Sequence, residues 1–279
     1  MTYHPTRSPT RRHLLWLAGA PLLAATGCSS PTGLSGAEAA VLAALAPTGR
    51  LRASINLGNP ILARRDADSG VVSGVSVDLA NTLAAQLGVA AELIVVEAAA
   101  RAVAAVSAGQ ADIGFFAIDP QRAGGGILFT APYVLIEGAY LVRKDSPLTD
   151  NAQVDRPGMR IMVGQGSAYD LYLSRNLQAA QLLHTPTSPT VVERFLAENA
   201  DVAAGVKQQM QADARRLGGL RLLPGRFMVI EQAMGLPATQ GEPARQALAR
   251  FVEWAKASGL VARALARHCV EGALVAPAV

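Results

Sequence analysis

Arg122 stands where a guanidinium can do chemistry. It follows the apolar run Ile113–Ile118 and the pair Asp119-Pro120. That pair starts a helix, because Asp accepts bonds from the free amides of a first turn and Pro is tolerated at the first helical position. Within Ala111–Tyr133, a strand end, exposed helix amides and a guanidinium therefore converge on one point. Such a corner holds an anionic group, a carboxylate for example. Asp119 is read first as the cap of that helix.

Catalytic and metal chemistry have little support. Beyond the first residues only His184 and His268 occur, in different halves and without the spacing of a metal site. No nucleophile elbow or Ser/His/Asp order is present. Gly164-Gln165-Gly166-Ser167 is a glycine-rich turn, but it lacks the Gly-Lys-Ser/Thr of a phosphate loop. It is no dinucleotide fingerprint either, since Tyr169 stands where the third glycine belongs. No cofactor is implied.

The elements that position these groups alternate. A short helix is expected over Ala37–Leu45 and the folded body from about Arg50. Strands are predicted at Leu51–Leu57, Ala91–Val96 and Ile113–Ile118, with a helix whose Leu79, Leu83 and Leu87 share a face before Gly88, and another over Glu97–Ala108. The second half repeats the order. It runs strand Met159–Val163, helix Ala168–Asn176, strand Leu182–His184, a helix opened by Thr190-Val191-Val192-Glu193 with capping-box spacing, then Ala200-Asp201-Val202. This last segment parallels Ala111-Asp112-Ile113. Phe227–Leu236 reads as a strand and Glu242–His268 as helix interrupted at Gly259. Such alternation gives α/β layers with a largely parallel sheet.

The amino terminus points outside the cytoplasm. Arg11-Arg12 precedes an apolar run, Leu14–Ala25, that is too short to span a bilayer and contains Pro21. This resembles a twin-arginine export signal. Ala25-Thr26-Gly27-Cys28 resembles a lipobox, which implies cleavage before Cys28 and acylation of that cysteine. Residues 1–27 are then signal peptide and 28–49 a tether. Cleavage removes Arg7, Arg11 and Arg12 from a chain with 25 Lys and Arg against 21 Asp and Glu, leaving it near neutral. No basic patch argues for nucleic acid. With Cys28 acylated, Cys269 has no intramolecular partner and is expected to be a buried apolar residue.

Gly74…Val77-Asp78-Leu79-Ala80, Gly109-Gln110-Ala111-Asp112-Ile113, Arg122 and Phe129-Thr130-Ala131-Pro132-Tyr133, in that order, resemble the family 3 extracellular solute-binding proteins, receptors of polar amino acid ABC transporters. The resemblance covers roughly residues 50–270. It implies a two-lobed periplasmic-binding-protein-like fold, with lobe 1 at 50–138 plus 231–279 and lobe 2 at 139–230. Two crossover strands, near Ile136–Leu141 and Met228–Gly235, would join the lobes across a ligand cleft.

The resemblance also assigns roles. Arg122 would grip a ligand carboxylate, with Gly166 and Ser167 as the opposing turn and Tyr169 close by. Asp119 stands among the ligand-binding candidates for its place beside Arg122. Phe115 and Phe116 occupy positions where smaller polar residues are usual; one is expected to stack on ligand and the other to pack in the core. Ala117 stands where the family carries a hydroxyl. The second lobe lacks the usual amine-binding acid, the chain continuing Ala203-Ala204-Gly205-Val206-Lys207. Asn56 and Asn59 in the first loop, and Glu137 and Glu231 on the crossovers, are the polar candidates for that end. The expected protein is a monomeric, lipid-anchored receptor at the extracytoplasmic face of the membrane, delivering a small carboxylate to an ABC permease. Relatives that are periplasmic dehydratases, or ligand-sensing modules, give the alternatives.

Overall fold

A computed structural model describes residues 36–279. The segment read as an export signal and Cys28 lie outside the described residues. The chain opens with α1 (Gly36–Leu45) and β1 (Arg50–Asn56). A small hairpin, β2 (Arg64–Arg65) and β3 (Val72–Ser73), leads to α2 (Val75–Gln86), β4 (Ala90–Val96), α3 (Ala99–Ser107), β5 (Ile113–Ala117) and α4 (Pro120–Gly124). The long β6 (Ile127–Arg143) follows. Next come β7 (Arg160–Gly164), α5 (Ala168–Asn176), β8 (Gln181–Thr185), α6 (Val191–Ala197), β9 (Val202–Val206), α7 (Lys207–Leu217) and β10 (Leu220–Leu222). The chain finishes with β11 (Met228–Pro237), α8 (Glu242–Ala257), α9 (Leu260–Arg267) and β12 (Leu274–Val275).

Two units of the same topology share one mixed sheet, in the order β4-β1-β5-β11-β6-β9-β7-β8. In the first, β1 lies between β4 and β5 and pairs with both in parallel. In the second, β7 lies between β8 and β9, again in parallel. Between them β6 and β11 run antiparallel and pair from Ile127↔Pro237 to Gly138↔Met228. The Ala-Asp repeat noted in the sequence has a common structural role. The Asp112 carboxylate accepts from the Arg52 amide at 2.8 Å and pairs with its guanidinium at 2.6 Å. Asp201 accepts from the Arg160 amide, also at 2.8 Å, and pairs with Arg160 Nε at 3.4 Å. Each acid thus secures the start of the neighbouring parallel strand.

Apolar periodicity explains the layers. Leu79 and Leu83 of α2 and Leu248, Phe251 and Val252 of α8 bury against Leu51, Ile55, Ile113 and Ile136 in the largest core cluster. In the second unit, Val191, Val192 and Phe195 of α6 pack with Met162, Ala203 and Met210. Gly259, in the left-handed region at φ 75°, separates α8 from α9 as its place in the sequence suggested.

Two local expectations are corrected. The capping box at Thr190 does not form. Thr190 is helical (φ −91°, ψ 0°) at the end of a 3-10 turn, and its hydroxyl donates to the Thr187 carbonyl at 2.8 Å instead. Cys269 is exposed rather than buried. The α9 helix ends at Arg267, and Cys269 adopts φ 54°, which turns the chain out of the helical path that would have buried it.

Candidate functional site

The carboxyl ends of the parallel strands meet the start of α5 around a partly open cavity of about 50 Å³. This is where an open α/β sheet exposes strand termini and helix amides together. From the first unit come Asn56 at the end of β1, Asn59 in the loop after it, Phe115, Phe116 and Ala117 at the end of β5, and Arg122 in α4. From the second come Ser167, Ala168 and Tyr169 at the start of α5, with Ser188 behind them. Ile230 and Gln232 of β11 line the floor.

Arg122 is only 6% exposed. One guanidinium nitrogen donates to the Ala117 carbonyl at 2.9 Å and the other to the Gly166 carbonyl at 3.0 Å, in the opposite unit. No carboxylate lies within ion-pair distance of it among the described residues. Burial pushes the Arg122 guanidinium down to about 10, offset in part by the Asp119 charge. It remains protonated at neutral pH. A buried cation without an ion pair is costly, and an entering anion would relieve that cost.

Asp119 is engaged elsewhere. It caps α4 by accepting from the Gln121 amide at 2.8 Å, as the Asp-Pro signal predicts. Its other oxygen pairs with Arg175 of α5 at 2.6 Å. The cation that would neutralise Arg122's neighbour is thus supplied across the cleft, and Arg122 is left for something else.

Facing Arg122, Ser167 caps α5. Its hydroxyl accepts from the Asp170 amide at 3.1 Å, while Asp170 accepts from the Gly166 amide at 2.7 Å. Asp170 is itself held by His184 Nε2 at 2.9 Å. The turn is therefore locked from behind. The amides of Ala168 and Tyr169 open the helix with no earlier turn to bond to, at its positive end. Burial pushes the Tyr169 hydroxyl up, opposed by hydrogen bonds from Ser188 and Ser167. Gly166 has φ 68°, and a Cβ there would come 2.9 Å from Ala100 Cβ of α3. Only glycine permits this approach of the two units.

Of the residues singled out from sequence, Arg122, Ser167, Tyr169, Asn56, Phe115 and Phe116 line the cavity. Gly166 adjoins it through its carbonyl. Phe115 packs edge-on against Tyr133. Phe116 packs edge-on against Phe129 and lies over Gly114, where an added Cβ would come 2.2 Å from the ring. Both rings are core residues whose edges reach the cavity. Glu137 and Glu231 are not brought to it. Glu137 pairs with Lys207 and with Arg226, each at 2.7 Å. Its carboxyl is held below the usual range first by the Lys207 bond, then by Arg226. Glu231 is exposed, on the face of β11 opposite Ile230 and Gln232.

Gln232, Ser76 and Ser188 were missed. Strand parity could have found Gln232, because Glu231 and Gln232 must face opposite ways. No sequence signal marks the serines. Asn56 Oδ1 accepts from the Gly58 amide at 2.8 Å, whereas Asn59 Oδ1 is buried with no partner among the described residues. Among those residues no group of three His, Cys, Asp or Glu could hold a metal ion, and no helix is long and apolar enough to cross a membrane.

Two linked units of like topology with a cavity at their strand ends define a class, the two-lobed periplasmic-binding-protein-like α/β proteins. Comparison gives the family. Residues 55–271 match the bacterial extracellular solute-binding proteins, family 3, and the chain belongs to that family. No curated protein matches. Among solved structures, the chain resembles a putative ABC-transporter binding component from Wolinella succinogenes complexed with lysine, at 20% identity and TM-score 0.69, covering 81% of this chain and 97% of that one. The L-cysteine solute receptor of Neisseria gonorrhoeae is 22% identical, TM-score 0.69, covering 81% and 92%. An ancestral amino acid-binding protein, a precursor of cyclohexadienyl dehydratase, is 19% identical, TM-score 0.66, covering 79% and 96%. At these identities the structural likeness establishes the fold.

Proposed function

We propose that the protein is the extracytoplasmic receptor of an ABC importer and closes around a small carboxylate of amino-acid size. The observation that carries this reading is Arg122, a buried guanidinium without an ion pair, facing the amino terminus of α5. Its remaining N–H groups, the Ser167 hydroxyl and the leading amides of α5 form a two-sided grip on one carboxylate. Lobes at 50–138 plus 231–279 and at 139–230 would move about the β6 and β11 crossings, since ligand contacts to both lobes favour the closed state. A thermal-shift screen over small amino, hydroxy, keto and dicarboxylic acids tests the reading. At least one should raise the unfolding temperature in the wild type and not in Arg122→Gln.

Binding rather than dehydration is favoured because neither Glu137 nor Glu231 reaches the cavity. Turnover of a cyclohexadienyl acid by the purified protein would reverse that preference. A lipid anchor at Cys28 rests on the lipobox-like Ala25-Thr26-Gly27-Cys28. Cys28→Ser should release the protein from membranes, and continued membrane association would remove the anchor from the account.

A further inference from the structure

Resting on the receptor reading above, we infer that the cleft selects carboxylates whose second polar group is an uncharged hydroxyl or carbonyl, and discriminates against α-amino acids.

Among the described residues lining the cavity, Arg122 is the one charged side chain. The nearby acids are all committed. Asp119 is paired with Arg175, Asp170 is held by the Gly166 amide and His184, and Glu137 is paired twice. Glu231 faces the other way. A bound α-ammonium would therefore share the cavity with a buried guanidinium and have no carboxylate of its own there. Burying an ammonium without a carboxylate costs more than neutral acceptors return, and the positive charge of Arg122 adds to that cost.

What the cavity does offer is two side-chain amides without protein partners. Asn59 Oδ1 is a buried acceptor with nothing donating to it. Gln232 is only 6% exposed, lines the cavity, and its side-chain amide bonds to none of the described residues. An orphaned buried acceptor is expensive, so Asn59 Oδ1 calls for a donor from a ligand. Amides carry both donors and acceptors. Both amides line the same cavity, so a ligand hydroxyl can donate to an amide oxygen there or accept from an amide N–H, and a keto oxygen can take the donor. An ammonium can use only the acceptors and leaves the amide N–H groups unpaired.

Isothermal calorimetry on matched pairs tests this: lactate against alanine, and 2-hydroxybutyrate and 2-oxobutyrate against 2-aminobutyrate. The hydroxy or keto acid should bind at least tenfold tighter than its amino counterpart. An amino acid that binds as tightly or more tightly overturns the selectivity, while leaving the carboxylate receptor intact provided its binding is lost in Arg122→Gln. If no acid of any series binds, or binding survives Arg122→Gln, both readings fall. A second variant guards the residue assignment. Asn59→Asp places a carboxylate at the orphaned acceptor and should shift the alanine-to-lactate affinity ratio at least tenfold towards alanine. An unmoved ratio overturns the role given to Asn59.

Discussion

The Arg122 guanidinium, which lines the cavity, donates to the Gly166 carbonyl at 3.0 Å and so joins the two units. The same glycine approaches Ala100 so closely that a side chain would clash. Asp119–Arg175 adds a second polar contact between the units. In the receptor proposed above, closure and ligand grip would share these residues, and perturbing one would perturb the other.

Gly166→Ala tests the closing contact. The methyl must be accommodated at φ 68° and 2.9 Å from Ala100 Cβ. Strain of this kind costs about 1–3 kcal/mol. Because opening the clamp relieves the steric part, ligand affinity should fall at least tenfold while the unfolding temperature drops only modestly. Unaltered affinity by calorimetry would show that closure does not need this contact.

Gln232 and Glu231 form a paired control on one strand. Gln232→Ala removes a cavity amide and should weaken ligand binding severalfold. Glu231→Ala removes an exposed carboxylate on the opposite face and should leave affinity unchanged. A reversed result would mean that the strand presents its other face to the ligand.

Glu137 predicts a pH dependence. Its folded carboxyl is held below its ordinary value by Lys207 and Arg226, so it contributes stability above the unfolded carboxylate range. That contribution is lost as pH falls through the lower, folded value. Glu137→Gln should therefore cost up to about 1 kcal/mol at neutral pH, and the gap to the wild type should close in acid. Denaturant melts at pH 7 and pH 3 check this; a gap that widens in acid contradicts it.

Much of the fold was legible because it rests on local signals. Asp119-Pro120 caps and starts α4, Gly259 breaks α8 from α9, and the Ala-Asp pairs enter β5 and β9 with matched bonds to Arg52 and Arg160. Arg122 could be placed at the cavity because it lies just beyond a strand end and a helix start, and Ser167 because its turn resembles the family's carboxylate-binding turn. The remainder depends on long-range geometry. That Asp119 pairs with Arg175, 56 residues away, cannot be read from spacing. Nor can the orphaned state of Asn59 Oδ1, a property of what surrounds it. Charge drew the reading to Glu137 and Glu231, whereas the cavity uses the neutral Gln232 one residue on. In a strand, that single step changes the face. Thr190 had capping-box spacing, yet the preceding turn took its hydroxyl, which bonds to the Thr185 hydroxyl and the Thr187 carbonyl.

The central claim is that Arg122 is kept buried and without an ion pair in order to hold a ligand carboxylate. The direct measurement is calorimetric affinity of wild type and Arg122→Met for the best carboxylate from the screen, alongside their ligand-free unfolding temperatures. Removing an unpaired buried cation should leave ligand-free stability unchanged or raised. Binding should weaken at least tenfold, about 1.4 kcal/mol or more. Unchanged affinity together with a marked loss of ligand-free stability would make Arg122 a structural brace between the two units and contradict the account.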